Sequence, residues 1–299
     1  MLKSKVDRPT TQEFSHSLAF SRTIGWVTPG ELERLKNKRV AIAGLGGVGG
    51  HYCELLARLG VENFHIADFD RFELQNFNRQ AGATMENLGR LKTEVARERI
   101  LAINPSAKIT VFSDGVSPEN FAAFTNQIDF YVDGLDFFVL RTRFLLFDEL
   151  HKRGVPFITV APLGMGASVV FFDEFSMAPL RYFSIPKSEL SEDELALRFL
   201  LGVSPKLKHS QYLVDRNSIN FRERRAPSTP MACYLCAGLA GSYALKVLLG
   251  RGQVVRAPWS WHIDGYLNSA TKEWLPMGGN SPWQRFKRAR ARRNLMGKS

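Results

Sequence analysis

The stretch RVAIAGLGGVGG, residues 39–50, runs a short apolar segment straight into a cluster of glycines. A continuous apolar run this short fits a strand covered on both faces, as in a parallel sheet. Gly44, Gly46, Gly47 and Gly49 form GxGGxG ahead of VGGHYCELLARLG (48–60), whose apolar residues recur at helical spacing up to Gly60 as a cap. Without side chains there, backbone N–H groups can approach a phosphate at the positive end of the helix. A tight strand-to-helix turn with no ligand would use the same glycines.

The alternation continues down the chain. Segments 61–70, 107–114, 128–134 and 155–161 read as strands. Segments 88–105, 117–127 and 137–153 read as helices, with Ser117 as N-cap and Pro118 at N1 of the second. A further strand is expected at 166–173, a short helix at 191–202, a helix at 231–249, and late strands in VVRAPWSWHIDGYLN and TKEWLP. The fold class is therefore α/β: a Rossmann-like, mostly parallel sheet with helices on both faces, extended by C-terminal antiparallel strands. Its parts are an N-terminal arm and helix (1–37), a nucleotide-binding core (38–173), a crossing or substrate segment (174–230), a C-terminal helix with strands that completes the same domain (231–281), and a basic tail (282–299).

Hydrophobic residues make up 44% of the chain and aromatics 11%, which supports a sizeable core and excludes global disorder. No uninterrupted apolar run approaches the roughly 20 residues of a membrane span. The N-terminus has no signal-peptide core, and three cysteines do not make a disulfide scaffold. A cytoplasmic location with no membrane partner is expected. The net charge of +11 is uneven, because residues 282–299 hold seven Lys/Arg and no acid. That tail reads as a solvated, poorly ordered terminus, with a nucleic-acid or acidic partner as the alternative.

DFDRFELQNFNRQ (68–80) carries more chemistry than a nicotinamide site needs. Asp68 ends the second strand, where a carboxylate reaches ribose hydroxyls in any dinucleotide fold. Asp70, Asn76 and Arg79 follow within a dozen residues, and Lys92 opens the next helix. Two cations beside a phosphate chain suit a triphosphate attacked at its α-phosphorus, where charge builds on the departing oxygens. Asp136, in YVDGLD at the end of the fourth strand, lies at the carboxyl edge, where an aspartate could hold Mg²⁺ across phosphates.

Together FSRTIGWVTPGELERLKNKRVAIAGLGGVGG, DFDRFELQNFNRQ, LGRLK and VDGLD resemble the ThiF/MoeB/HesA family, adenylating enzymes related to ubiquitin activation. The likeness runs over residues 20–172 and resumes near 230–250 in CAGLAGSYALKVLLG. It implies ATP and Mg²⁺ as cofactors and adenylation of a carboxylate, such as the C-terminus of a ubiquitin-like protein, a peptide or a small molecule. It further implies that Asp68 holds the ribose, that Asn76, Arg79 and Lys92 bind phosphates, and that Asp136 holds magnesium and supports the reaction. Arg22, in FSRTI, would reach into a neighbouring subunit's nucleotide site, which implies a homodimer.

The chain departs from that pattern in places. Many members carry two CxxC pairs for zinc, and this chain has only Cys233 and Cys236, placed at i and i+3 on the late helix, so no zinc is expected. No cysteine lies in 174–230 to form a thioester, and Cys53 reads as a packing residue. Phe137 stands where the family commonly has asparagine after the magnesium aspartate. The histidines show no metal-binding spacing. Arg222, Arg224 and Arg225 make the crossing segment basic and suited to select an acidic substrate. The alternatives are a tRNA-modifying dehydratase of the same family whose basic tail holds RNA, a non-catalytic partner subunit of a heterodimer, and a nicotinamide oxidoreductase.

Overall fold

Successive residues of the first strand face different cores. In a computed structural model describing residues 13–215, 218, 219, 223 and 226–296, β1 (Arg39–Ala43) sends Val40 and Ile42 into one apolar cluster and Ala41 and Ala43 into another. Burial on both faces is why the strand runs are continuously apolar rather than alternating. β2 (Asn63–Ala67), β3 (Lys108–Phe112), β4 (Phe130–Asp133) and β5 (Phe157–Leu163) join β1 in parallel. β6 (Gly166–Phe172), β7 (Trp259–Asp264) and β8 (Ser269–Trp274) follow antiparallel, giving one sheet of order β3-β2-β1-β4-β5-β6-β7-β8. The expected mostly parallel sheet with an antiparallel extension is what forms.

Helices cover both faces. A single turn, α1 (His16–Ala19), precedes α2 (Pro29–Asn37), which opens with a capping box between Thr28 and Glu31. α3 (Gly49–Arg58) and α4 (Lys92–Ile103) lie on the face that Val40 and Ile42 share. The opposite face carries α5 (Phe121–Phe124), α6 (Leu140–Lys152), α7 (Pro179–Tyr182) and α8 (Glu192–Val203). α9 (Pro230–Leu249) is apolar and long enough to cross a membrane by composition alone, yet it packs inside the molecule against α3, β5 and β6.

Two expectations need correction. The helix expected over 117–127 shrinks to α5, because the Asn120 side chain accepts from the Ser117 amide at 2.9 Å and donates to the Gly115 carbonyl at 2.9 Å. Those bonds close a turn where Ser117 and Pro118 would have started a helix, and Asn120 becomes the cap. The basic tail is likewise no loose terminus, for residues 282–296 form α10 (Pro282–Met296). Arg288 and Arg292, one turn apart, both reach Glu194 of α8, which Arg198 also meets at 2.8 Å, while Lys287 donates to the Pro205 carbonyl. Helical spacing thus turns part of the charge run into an internal clamp on a carboxylate only 6% exposed.

The crossing segment is pinned at both ends of its described portion. Tyr212 Oη donates to Asp264 at 2.7 Å, and Thr229 Oγ1 donates to the Gly164 carbonyl at 2.6 Å. Arg222, Arg224 and Arg225 lie outside the described residues. Glu194→Gln leaves its three arginines without a counter-charge, and charge-assisted hydrogen bonds of this kind each contribute about 1.5–3 kcal/mol. Trypsin should then cut within α10 about tenfold faster or more than in wild type; an unchanged cleavage rate would show that the clamp does not hold the helix.

Candidate nucleotide site

The carboxyl ends of β1, β2 and β4 meet at one point. Gly44 sits at φ +81°, and a Cβ there would lie 2.2 Å from the Gly134 carbonyl oxygen, in the loop after β4. A Cβ on Gly49 would lie 1.8 Å from the Gly44 oxygen, so α3 can start this close to β1 only with glycine. Gly46 and Gly47 are different, since a Cβ on either would make ordinary contacts at 3.5 Å, to Gln80 and to Cys233. Their lack of side chains is not demanded by the protein's own packing and leaves room for a ligand's approach. No side chain caps the N-terminus of α3, so its first amides keep their capacity for an anion.

Asp68 ties the second strand to this loop. Its carboxylate accepts from the Leu45 amide at 2.6 Å and from the Asp70 amide at 2.8 Å. Burial pushes the Asp68 carboxyl up, opposed by the nearby Lys92 ammonium and by these two amides. The hook then folds back on itself, with the Phe72 amide donating to the Arg90 carbonyl at 3.0 Å and the Lys92 amide to the Asp70 carbonyl at 3.0 Å. That closure places Lys92 at the first position of α4, 5% exposed, with its ammonium 2.8 Å from Asp70. Behind it the space between α3 and α4 is almost filled, leaving about 10 Å³ bounded by Leu45, Cys53 and Phe72. A wider hollow of about 310 Å³, between Lys38 and Asp129, lies at the amino edge of the sheet, away from these loops.

Arg79 lies along the glycine loop, with its Nε 3.7 Å from where a Gly47 Cβ would stand. It donates to the Gln75 carbonyl at 3.0 Å and to Asn78 Oδ1 at 2.9 Å. Asn76 is 7% exposed, and its side-chain oxygen accepts from the Glu73 amide at 2.9 Å, so that oxygen shapes the hook's turn. Asp136 lies just beyond the end of β4, in the loop at the carboxyl edge of the sheet. Its side chain is exposed and accepts from the Phe138 amide at 2.9 Å. Arg22 stands apart on an N-terminal turn, exposed, with no hydrogen-bond or ion-pair partner among the described residues.

Cys233 and Cys236 are fully buried on α9, and burial raises both thiols. Cys53 is buried and raised in the same way, so these sulfurs are held as packing thiols. Sequence reasoning passed over three groups. Gln80 is 7% exposed, stands beside Gly46, and leaves its side-chain oxygen without a partner among the described residues. Asp133 and Arg143 form an ion pair at 2.9 Å, each side chain 2% exposed. The signal for that pair was present: Asp133 interrupts an apolar strand, and Arg143 interrupts the apolar stripe of Leu140, Phe144 and Phe147 on α6.

The ThiF family matches residues 20–277, most of the chain. The chain belongs to the ThiF family. Among curated relatives, the tRNA threonylcarbamoyladenosine dehydratase of Haemophilus influenzae is 34% identical over 138 residues, 46% of this chain. This ThiF-family chain spans about half the length of that protein, 52%. The sulfur carrier protein adenylyltransferase of Thermus thermophilus is 32% identical over 235 residues, covering 69% of this chain and 86% of that protein. Among solved structures, PaaA shares the fold with a TM-score of 0.65 at 18% identity, over 92% of this chain and 78% of that one.

Lys92→Met keeps the buried apolar stem and removes the charge. ATP should then bind about 10–100-fold more weakly by calorimetry, and the thermal midpoint should fall modestly, because the buried Asp68 loses the cation that supports its charge. Wild-type affinity would remove Lys92 from the site.

Proposed function

We propose that the chain is an ATP-dependent adenylyltransferase that joins a carboxylate to the α-phosphorus of ATP and releases pyrophosphate. The observation that carries this reading is that one glycine loop has Arg79 beside Gly47, Lys92 near the Asp68 carboxylate that binds the Leu45 amide, and the loop leading to Asp136 against Gly44. A carboxylate oxygen attacks the α-phosphorus, forming the acyl-phosphate bond, while the bond from that phosphorus to the β-phosphate oxygen breaks and pyrophosphate takes the electron pair. Arg79, Lys92 and the first amides of α3 would stabilise the growing negative charge. Asp68 supports the ribose end from the tip of β2.

Asp136 is the residue that would hold Mg²⁺, and it fits the ion's habits. Magnesium is usually held by one or two carboxylates together with substrate phosphates, not by an all-protein cage. One exposed carboxylate suits that arrangement, and no group of three or more metal-ligating side chains occurs among the described residues. The ion would neutralise phosphate charge as pyrophosphate departs. The carboxylate belongs to a ubiquitin-like C-terminus, a peptide or a small molecule. The Thermus relative, named as a sulfur carrier protein adenylyltransferase, supports a protein carboxylate.

Dehydratase matches from Haemophilus influenzae, Escherichia coli and Bacillus subtilis favour one second reading, an RNA substrate activated by the same adenylation. RNA retention that weakens steeply with salt would select it. Arg22, exposed and unpartnered among the described residues, fits a role in a second copy's site.

The test is exchange of labelled pyrophosphate into ATP, with and without cell extract to supply the carboxylate. Exchange should require extract and fall about 100-fold or more in Asp136→Ala. A protein that binds no ATP would contradict the reading. If Arg22 acts across a dimer, mixing inactive Arg22→Ala with inactive Lys92→Met should restore exchange, since one composite site is then intact. No recovery on mixing would confine Arg22 to its own chain.

A further inference from the structure

Two opposite charges lie where apolar residues belong, at the end of β4 and on the core-facing stripe of α6. Arg143 Nε donates to Asp133 Oδ2 at 2.9 Å, and this alone would complete an ion pair. The guanidinium does more. Its Nη2 donates to the Leu135 carbonyl at 2.6 Å and to the Asp136 carbonyl at 2.9 Å. Its Nη1 reaches the Phe137 carbonyl at 3.4 Å and the Val139 carbonyl at 3.3 Å. The other side of the pair also serves the loop, because Asp133 Oδ1 accepts from the Leu135 amide at 3.3 Å. The guanidinium carbon lies 4.5 Å from the centre of the Phe199 ring on α8.

A buried ion pair kept for stability alone often does no better than apolar residues of similar size. Stability therefore does not account for a fork spread over four carbonyls of one loop. A lysine could match the charge but has no planar fork to span them. The loop so gripped is the one that touches Gly44 through Gly134 and carries the exposed Asp136 side chain on its outer side.

We propose that Arg143, seated between Asp133 and Phe199, is a positioning residue for Asp136. It fixes the carbonyls behind that residue and so sets the direction from which the carboxylate meets the phosphates and their magnesium. Phe199 lies in the crossing segment, so the ring that seats the guanidinium also ties this loop to the part of the chain expected to select substrate. The inference rests on the adenylyltransferase reading of the site.

Calorimetric titration of the full chain with ATP, once in EDTA and once in excess MgCl₂, tests it without any carboxylate substrate. The ratio of the two dissociation constants measures what magnesium adds. Asp136→Asn should abolish that gain. Arg143→Lys should lower affinity for MgATP about tenfold, as loss of an outer support to a metal ligand does, and leave affinity in EDTA within about twofold. Phe199→Leu should shift MgATP affinity in the same direction by about threefold, the scale of one cation–π contact. It decides the question if Arg143→Lys does not fold.

A folded Arg143→Lys with the wild-type gain overturns the positioning role, as does a loss equal in both buffers, which would mark a general structural defect. Should Arg143→Lys not fold, either of those results in Phe199→Leu has the same force. Wild-type gain in Asp136→Asn, or no gain in wild type, instead overturns the reading of Asp136 itself and this proposal with it.

Discussion

The site depends on a backbone contact that has no room for a side chain. Gly44 and Gly134 follow neighbouring strands at the middle of the sheet, and a Cβ on either would stand 2.2–2.3 Å from the other's carbonyl oxygen. Because both lack one, the glycine loop and the Asp136 loop abut directly. Two further ties hold the platform. Asp68 fastens the Leu45 amide from the β2 side, and Arg143 grips the Asp136 loop from within the second core. The first joins β1 to β2 and the second joins α6 to β4, so the loops are held to the parallel sheet beneath them and to the helix that covers it.

On that platform charge is divided by side. Arg79 and Lys92 come from the hook and from α4, while Asp136 comes from across the Gly44–Gly134 contact. The uncapped start of α3 lies between them. A triphosphate laid over the loop would meet cations and amides along its chain and a carboxylate suited to magnesium on its far side. The buried Asp68 shows how the protein maintains this field, because its own ionisation is disfavoured by burial and supported by Lys92 and two amides. The ammonium thus pairs with Asp70 and supports the buried acid that shapes the loop.

Much of this was legible in the sequence because it rests on local patterns. Strands buried on both faces read as apolar runs, and the hook stood out because acids, amides and an arginine crowd a stretch that a dinucleotide site leaves plain. What escaped rests on particular side-chain bonds, some to close neighbours in sequence and some to distant ones. Asn120 turned an expected helix start into a turn by bonding Ser117 and Gly115. The tail's arginines became partners of Glu194, a residue about a hundred positions earlier. Asn76 has its side-chain oxygen on the Glu73 amide, a local bond that shapes the hook's turn. Arg143 needed a different reading, in which a charge on an apolar stripe points to an opposite charge on an apolar strand.

The central claim is attack at the α-phosphorus, and the products of ATP report it directly. ATP labelled at the α-phosphate, incubated with the protein and its carboxylate source, should pass its label to an acyl-adenylate, and to AMP once a nucleophile takes the acyl group, while pyrophosphate leaves. That transfer should require the wild-type protein and be absent with Asp136→Ala. Protein-dependent ADP and inorganic phosphate in place of AMP would place the cleavage between the β- and γ-phosphates and contradict the account.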